Sequence, residues 1–148
     1  PTPSDFRERY GIGDRFMILG VASPWTERKG LADFVRLAGE LDSEKYAVVL
    51  VGLSKNQVKE MPAGIVGLGR TDSSQKLAGI YSTADVFFNP TTEDNFPTVN
   101  LEAEACGTPV VTYDTGGCAE TLQREESCTV QEFKAALYQI WHMPRSRS

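Results

Sequence analysis

The chain has 148 residues, 41% of them hydrophobic, and a net charge of −5. This length suits one domain with a hydrophobic core and is too short for two. The acidic balance, without a cluster of Lys or Arg, excludes a basic nucleic-acid-binding face. No apolar run is long enough to cross a bilayer, and the first residues lack the apolar centre of a secretion signal.

Short apolar runs alternate along the chain with stretches of helical spacing. In chain order the pattern predicts strand 16–22, helix 28–41, strand 47–51, helix 54–61, strand 65–68, helix 73–81, strand 85–89, helix 98–106, strand 110–113 and helix 129–141. Alternating strands and helices predict a parallel sheet with helices on both faces. We therefore expect a Rossmann-like, three-layer α/β domain over residues 1–148. A complete domain of this kind would have another strand–helix unit near residues 123–128.

The cysteines and the histidine predict neither disulfides nor a metal site. Cys106, Cys118 and Cys128 are odd in number, and their spacing fits no zinc pattern. Reduced thiols in a cytoplasmic protein are the simplest interpretation. His142, the single histidine, lies near the end of the chain and is expected at the surface.

Acidic and amide side chains concentrate in residues 89–109, where a predicted strand leads into a loop and then a helix. Ligands of such sheets bind at the carboxyl ends of the strands. A helix that begins there offers free backbone N–H groups and a positive dipole to an anion. Asp94 and Glu102 can both face that edge, and a carboxylate can accept two hydrogen bonds from a vicinal diol. Asp94 could instead cap the helix.

Two further loops leave strands at the same edge. Arg28 and Lys29 stand at the predicted start of a helix, where positive charge opposes the helix dipole unless an anion is bound. Their stems could also lie along the surface without binding anything. Gly116 and Gly117 permit close backbone approach, but an ordinary turn accounts for them equally well.

The sequence resembles the C-terminal domain of the group 1 retaining glycosyltransferases, which have the two-domain GT-B architecture. The resemblance covers roughly residues 16–120. The matching segments are 23–30, 51–52, 81–90, 93–111 and 115–117. The most specific of them ends in Leu-Glu-Ala-Glu-Ala-Cys-Gly-Thr-Pro-Val-Val over 101–111. The resemblance implies one half of a GT-B fold that binds a nucleotide-diphosphate sugar.

The resemblance also implies roles for individual residues. The family has two glutamates separated by seven residues. Glu102 matches the second, which holds the donor ribose, and Asp94 replaces the first. The adjacent Glu93 is the alternative for the first. Lys29 matches the lysine that meets the donor diphosphate, while the companion arginine falls on Pro24, so that Arg28 is expected to supply this charge.

Asp94 and Glu102 are accordingly the predicted catalytic pair. The residues predicted to bind the donor are Ser23, Arg28, Lys29, Gly52, Arg70, Asn95, Phe96, Pro97, Thr98, Val99 and Glu102. The family uses basic side chains and a helix N-terminus rather than a metal or cofactor to meet the charge of the leaving diphosphate.

A GT-B enzyme also has an N-terminal domain that binds the acceptor. The resemblance therefore implies an absent partner domain, a cytoplasmic location and peripheral membrane association of the longer enzyme. A nucleotide-sugar epimerase of related architecture is the alternative among enzymes. A non-catalytic α/β binding module, such as a phosphoacceptor receiver, is the other. A receiver needs an acidic cluster after the first strand and an aspartate after the third, which fits poorly with Ser-Pro-Trp-Thr-Glu-Arg-Lys-Gly over 23–30 and Gly-Arg-Thr over 69–71.

Overall fold

The computed structural model describes residues 3–22, 25, 30–62, 64–71, 74–90, 98–113, 128–130 and 133–143. Helices and strands follow one another as α1 (Pro3–Arg9), β1 (Phe16–Val21), α2 (Leu31–Glu40), β2 (Tyr46–Val51), α3 (Lys55–Glu60), β3 (Ile65–Leu68), α4 (Ser74–Thr83), β4 (Val86–Asn89), α5 (Thr98–Ala105), β5 (Val110–Tyr113), β6 (Cys128–Val130) and α6 (Phe133–His142).

The strands form one six-stranded sheet in the order β3-β2-β1-β4-β5-β6. Every neighbouring pair is parallel. The first three strands extend the sheet in one direction and the last three extend it in the other. This order places a topological switch point between β1 and β4, where open α/β sheets bind their ligands beyond the carboxyl ends of the strands. The predicted Rossmann-like parallel sheet is confirmed.

Two apolar layers pack on opposite faces of this sheet. Alternate residues of β1 divide between them, because successive side chains of a strand point to opposite faces: Ile18 joins one layer, and Met17 and Leu19 join the other. The first layer receives side chains from α2 and α6, including Phe34 and Ile140. The second layer receives side chains from α1, α4 and α5. The predicted three-layer arrangement is therefore present.

Close packing of α2 on the sheet depends on Gly20 in β1. A β carbon at Gly20 would lie 2.4 Å from Cζ of Phe34 and 3.0 Å from Cδ2 of Leu50. The ring of Phe34 fills that space and contacts Phe88 of β4, with 5.1 Å between ring centroids. The N-terminus of α2 is thereby fixed above the central strands.

Buried polar contacts secure α1, which the sequence pattern did not predict. The guanidinium of Arg7 donates to the Thr83 carbonyl, at 2.8 Å, and to Oδ2 of Asp85, at 3.1 Å. Asp85 is fully buried, and the same oxygen accepts the backbone N–H of Met17 at 2.8 Å. The pair therefore joins α1 to the amino ends of β1 and β4, at the opposite edge from the predicted ligand site.

Two predicted boundaries are wrong. The helix predicted over 28–41 begins at Leu31, because Gly30 has a left-handed backbone with φ of 86° and caps the helix. The helix predicted over 129–141 begins at Phe133, because Cys128–Val130 pairs with β5 as a strand. The sequence pattern lacks this strand, so β6 and α6 form a strand–helix unit that was not predicted. The helix predicted over 54–61 is present as α3, and Ser54 caps it, with Ser54 and Gln57 exchanging side-chain and backbone hydrogen bonds.

Candidate functional site

The loops that follow β1 and β4 touch at the switch point. Gly30 ends the first loop, and a β carbon built on it would lie 2.4 Å from Cγ and 2.6 Å from the carbonyl oxygen of Pro90, the first residue of the second loop. Both residues are buried. The contact brings the end of the basic loop, 23–30, against the beginning of the acidic loop, 90–97. The two clusters that the sequence analysis singled out therefore belong to adjoining segments.

Trp25 anchors the loop after β1 to the neighbouring strand. Its indole Nε1 donates to the Val51 carbonyl at the end of β2, with a length of 2.9 Å. Its ring meets Phe34 edge to face, with 5.4 Å between ring centroids. The Trp25 carbonyl accepts a 2.9 Å hydrogen bond from Nε2 of Gln57 in α3. Trp25 is only 5% exposed, so these buried contacts hold it in place within the loop.

The loop after β2 is held to the end of β3. Gly52 is buried and has φ of 102°, a conformation that a side chain would strain. Its N–H lies 3.0 Å from the Leu68 carbonyl and 3.2 Å from the Gly69 carbonyl. Arg70 follows directly and is exposed. Arg70 therefore follows β3, which stands two strand spacings, roughly 10 Å, from β1.

Glu102 lies in α5, one turn from the helix N-terminus that faces the carboxyl edge of the sheet. Residue 102 is exposed, whereas its neighbour Ala103 is fully buried in the second apolar layer. One carboxylate oxygen, Oε1, accepts a hydrogen bond from the Tyr81 hydroxyl at 3.3 Å. Glu102 is thus both open to solvent and in contact with a buried donor.

Tyr81 stays protonated in this setting. Burial, first, and then the neighbouring negative charge of Glu102 raise the pKa of the Tyr81 phenol well above its ordinary value. Both causes penalise the phenolate. The hydroxyl therefore remains a hydrogen-bond donor to Glu102 across the physiological pH range.

The structure describes only part of the predicted site. Gly52, Arg70 and Glu102 lie at the carboxyl edge of the sheet, and the backbone of Thr98 and Val99 forms the first turn of α5. The predictions for Ser23, Arg28, Lys29, Asp94, Asn95, Phe96 and Pro97 fall outside the described residues. Glycines 116 and 117 also lie outside them. The roles assigned to all these residues stay predictions.

The sequence analysis missed three residues that shape this edge. Tyr81 was part of a matching segment but had no role, and only the adjacency of α4 and α5 reveals its contact with Glu102. Trp25 and Gly30 were noted only as loop residues. A glycine directly after a basic pair and before a helix is a signal that could have indicated the left-handed turn.

No metal centre and no membrane-spanning helix occurs in the part of the chain that the structure describes. Within it, His, Cys, Asp and Glu form no group of three or more that could hold a metal ion. None of the helices within it is both long and apolar enough to cross a membrane.

An open parallel sheet with a switch point between β1 and β4 defines the doubly wound class of α/β protein. The sequence model of the family described as glycosyl transferases group 1 matches residues 15–142. The chain belongs to this family, and the resemblance to its GT-B members is confirmed.

Relatives and solved structures agree with this assignment. The chain is 32% identical over 127 residues to the D-inositol 3-phosphate glycosyltransferase of Corynebacterium jeikeium, a match that covers 75% of this chain and 30% of that protein. It is 32% identical over 140 residues to the GDP-mannose-dependent α-(1-6)-phosphatidylinositol monomannoside mannosyltransferase of Mycolicibacterium smegmatis, covering 84% and 36% of the two chains. The fold is similar to that of Anabaena HepE in complex with UDP-glucose, with a TM-score of 0.77, 21% identity and coverage of 93% and 41%. The chain thus spans about a third of the length of the curated relatives it matches.

Proposed function

We propose that this chain is the donor-binding domain of a retaining glycosyltransferase that moves a sugar from a nucleotide-diphosphate sugar to an acceptor. The observation that carries the proposal is the contact between Gly30 and Pro90 at the switch point. It joins the loop with the predicted phosphate-binding residues to the loop that leads to Glu102. The approach of Gly30 to Pro90 supports a single site to which both loops contribute.

The chemistry of these groups fits the parts of such a donor. The exposed carboxylate of Glu102 suits the vicinal diol of the ribose, because it can accept two hydrogen bonds. Arg28, Lys29 and the N-terminus of α5 suit the diphosphate, since N–H groups and positive charge stabilise phosphate oxygens. Arg70, farther along the edge, suits the nucleoside end or the diphosphate.

We propose the following roles for these groups in sugar transfer. The bond between the anomeric carbon and the diphosphate oxygen breaks, the acceptor oxygen bonds to the same face of the sugar, and its proton passes to the departing diphosphate. The basic residues and the α5 N-terminus stabilise the charge that develops on the leaving diphosphate, without a metal or cofactor. Asp94 faces the transferred sugar and Glu102 holds the nucleotide.

The names of the relatives support a role in bacterial glycoconjugate or polysaccharide synthesis, since they include a bacterial inositol phosphate glycosyltransferase and a mannosyltransferase that acts on a lipid. A lipid acceptor would fit a cytoplasmic enzyme associated with the inner face of the membrane. We further propose that an N-terminal domain supplies acceptor positioning. The chain alone should then bind the donor without transferring its sugar, because positioning contributes several kcal/mol to such reactions.

Calorimetric titration of the purified chain with UDP, GDP and ADP, and with their parent nucleosides, tests the proposal. We expect one diphosphate to bind clearly more tightly than its nucleoside, with or without a chelator. Glu102→Gln should then weaken binding by roughly 1.5–3 kcal/mol, the value for a hydrogen bond to a charged group. Glu40→Gln, an equivalent change at an exposed position in α2, is the control. Failure of every diphosphate to bind overturns the proposal, and unchanged affinity of Glu102→Gln removes Glu102 from the site.

A further inference from the structure

Contacts with three segments of the chain fix the position of Tyr81. The residue is 1% exposed, and its ring meets Phe87 of β4 at a steep angle, with 5.5 Å between ring centroids. Its carbonyl accepts hydrogen bonds from the Ala84 N–H, at 3.2 Å, and from the buried Thr108 hydroxyl. Thr108 itself is tied to α5 through the Ala103 carbonyl. Tyr81 is thereby held by α4, by β4 and by the turn that follows α5.

The phenolic hydroxyl is the part of Tyr81 that reaches toward the proposed donor site. It donates to Oε1 of Glu102 at 3.3 Å. Glu102 is exposed, and an exposed glutamate side chain samples several rotamers whose loss opposes ligand binding. A hydrogen bond from a rigid, buried donor restricts that sampling. The bond engages Oε1, so that Oε2 is the second acceptor that the carboxylate can offer to a ligand.

We propose that Tyr81 is a positioning residue, which orients the Glu102 carboxylate so that it can bind the ribose diol of the donor. The inference rests on the proposed function. Tyr81 itself touches no substrate: it acts through Glu102 by reducing the conformational entropy that the carboxylate loses on binding. The 3.3 Å length of the bond leaves the carboxylate room to adjust when its second oxygen meets a ligand.

The opposite interpretation is that Glu102 merely satisfies the buried hydroxyl of Tyr81. Buried hydroxyl groups need a hydrogen-bond partner, so the contact would then serve folding alone. The two interpretations predict different behaviour. A positioning role affects only ligands that carry the diol, and only while the Glu102 carboxylate is present. A folding role affects all ligands alike.

The test compares UDP and GDP with their 2′-deoxy forms on the unsubstituted chain and on Tyr81→Phe, which keeps the ring and removes only the hydroxyl. Tyr81→Phe should raise Kd for the ribonucleotide roughly three- to tenfold, the effect of one ordinary hydrogen bond, and leave Kd for the 2′-deoxy form unchanged. In a Glu102→Ala background the same substitution should change neither Kd. Tyr138→Phe, which makes the identical change at an exposed tyrosine in α6, is the matched control and should behave like the unsubstituted chain.

The possible outcomes separate the inference from the function on which it rests. If Tyr81→Phe leaves Kd unchanged for both the ribonucleotides and their 2′-deoxy forms, the positioning role is overturned. The proposed function then still stands. Equal weakening toward both forms of the nucleotide, or weakening that persists in the Glu102→Ala background, also overturns it in favour of a folding role. An unsubstituted chain that binds none of these four nucleotides and does not bind ADP overturns the proposed function, and the inference falls with it.

Discussion

Gly30 approaches Pro90 so closely that no side chain fits between them. A β carbon on Gly30 would meet both the ring and the carbonyl oxygen of Pro90, at 2.4 Å and 2.6 Å. Gly30 also has a left-handed backbone, and its carbonyl accepts the N–H groups of Asp33 and Phe34 in the first turn of α2. One glycine therefore caps a helix and joins two loops at the switch point of the sheet.

We expect Gly30→Ala to destabilise the chain and to weaken nucleotide binding. A non-glycine residue in the left-handed region costs about 1–3 kcal/mol, and the overlap with Pro90 adds to that cost. Gly39→Ala in the same helix is the control, because nothing lies within 4 Å of its β-carbon position and its φ is not positive. It should be neutral or stabilise the helix by roughly 0.4–1 kcal/mol. Denaturant unfolding measures both variants, and a Gly30→Ala variant as stable as the unsubstituted chain would contradict this account.

Removal of the Arg7 side chain should be among the most damaging changes outside the proposed site. Arg7 is 13% exposed at its side chain and its partner Asp85 is fully buried, so Arg7→Ala leaves a buried carboxylate without its cation. Breaking such a pair costs about 3–5 kcal/mol. Arg9→Ala, at an exposed position of the same helix, should change the free energy of unfolding by less than about 0.5 kcal/mol. Similar urea midpoints for the two variants would show that the ion pair contributes little.

The strands of this fold were largely predictable because each of the first five is a short and mostly apolar run. The predicted strand 65–68 coincides with Ile65–Leu68. The sixth strand was not predicted, because Cys128–Val130 is only three residues long. Thr129 and Val130 were also included in the helix predicted over 129–141. Helix α1 was missed for a different reason: its link to the sheet comes from Arg7, through bonds to residues more than 70 positions away.

The sequence predicted which loops contribute to the site but not the contacts between their residues. Strand ends and the family resemblance indicated Glu102 and the segments around it. The partner of Glu102 is 21 residues away, on a different helix, and no periodicity in the sequence connects the two positions. The contact between Gly30 and Pro90 is likewise a property of the strand order, because it exists only when β1 and β4 are neighbours.

Stability should fall at alkaline pH because of Tyr81. Its pKa in the folded chain is raised above the ordinary value of 10.0, so above about pH 10 the unfolded chain loses a proton that the folded chain keeps. The contribution is complete below pH 10 and decreases by at most about 1.4 kcal/mol per pH unit above it. Urea unfolding between about pH 9 and pH 11 should therefore show a steeper loss for the unsubstituted chain and Tyr138→Phe than for Tyr81→Phe. If the free energy of unfolding decreased equally with pH in the unsubstituted chain and in both variants, the burial of the Tyr81 phenol would be contradicted.

Lys29 should account for part of the salt dependence of nucleotide binding. In the sequence it directly precedes Gly30, the residue that contacts Pro90. A lysine that meets the diphosphate should contribute roughly 1.5–3 kcal/mol to binding, and salt should screen this contribution. Lys29→Ala should weaken nucleoside diphosphate binding, flatten its dependence on ionic strength between about 0.01 M and 1 M, and leave unfolding nearly unchanged, because exposed charges add little to stability. Lys59→Ala, at an exposed position in α3, is the control for a general change in net charge. If both variants shift the salt dependence equally, the effect is one of overall charge, and Lys29 does not contact the diphosphate.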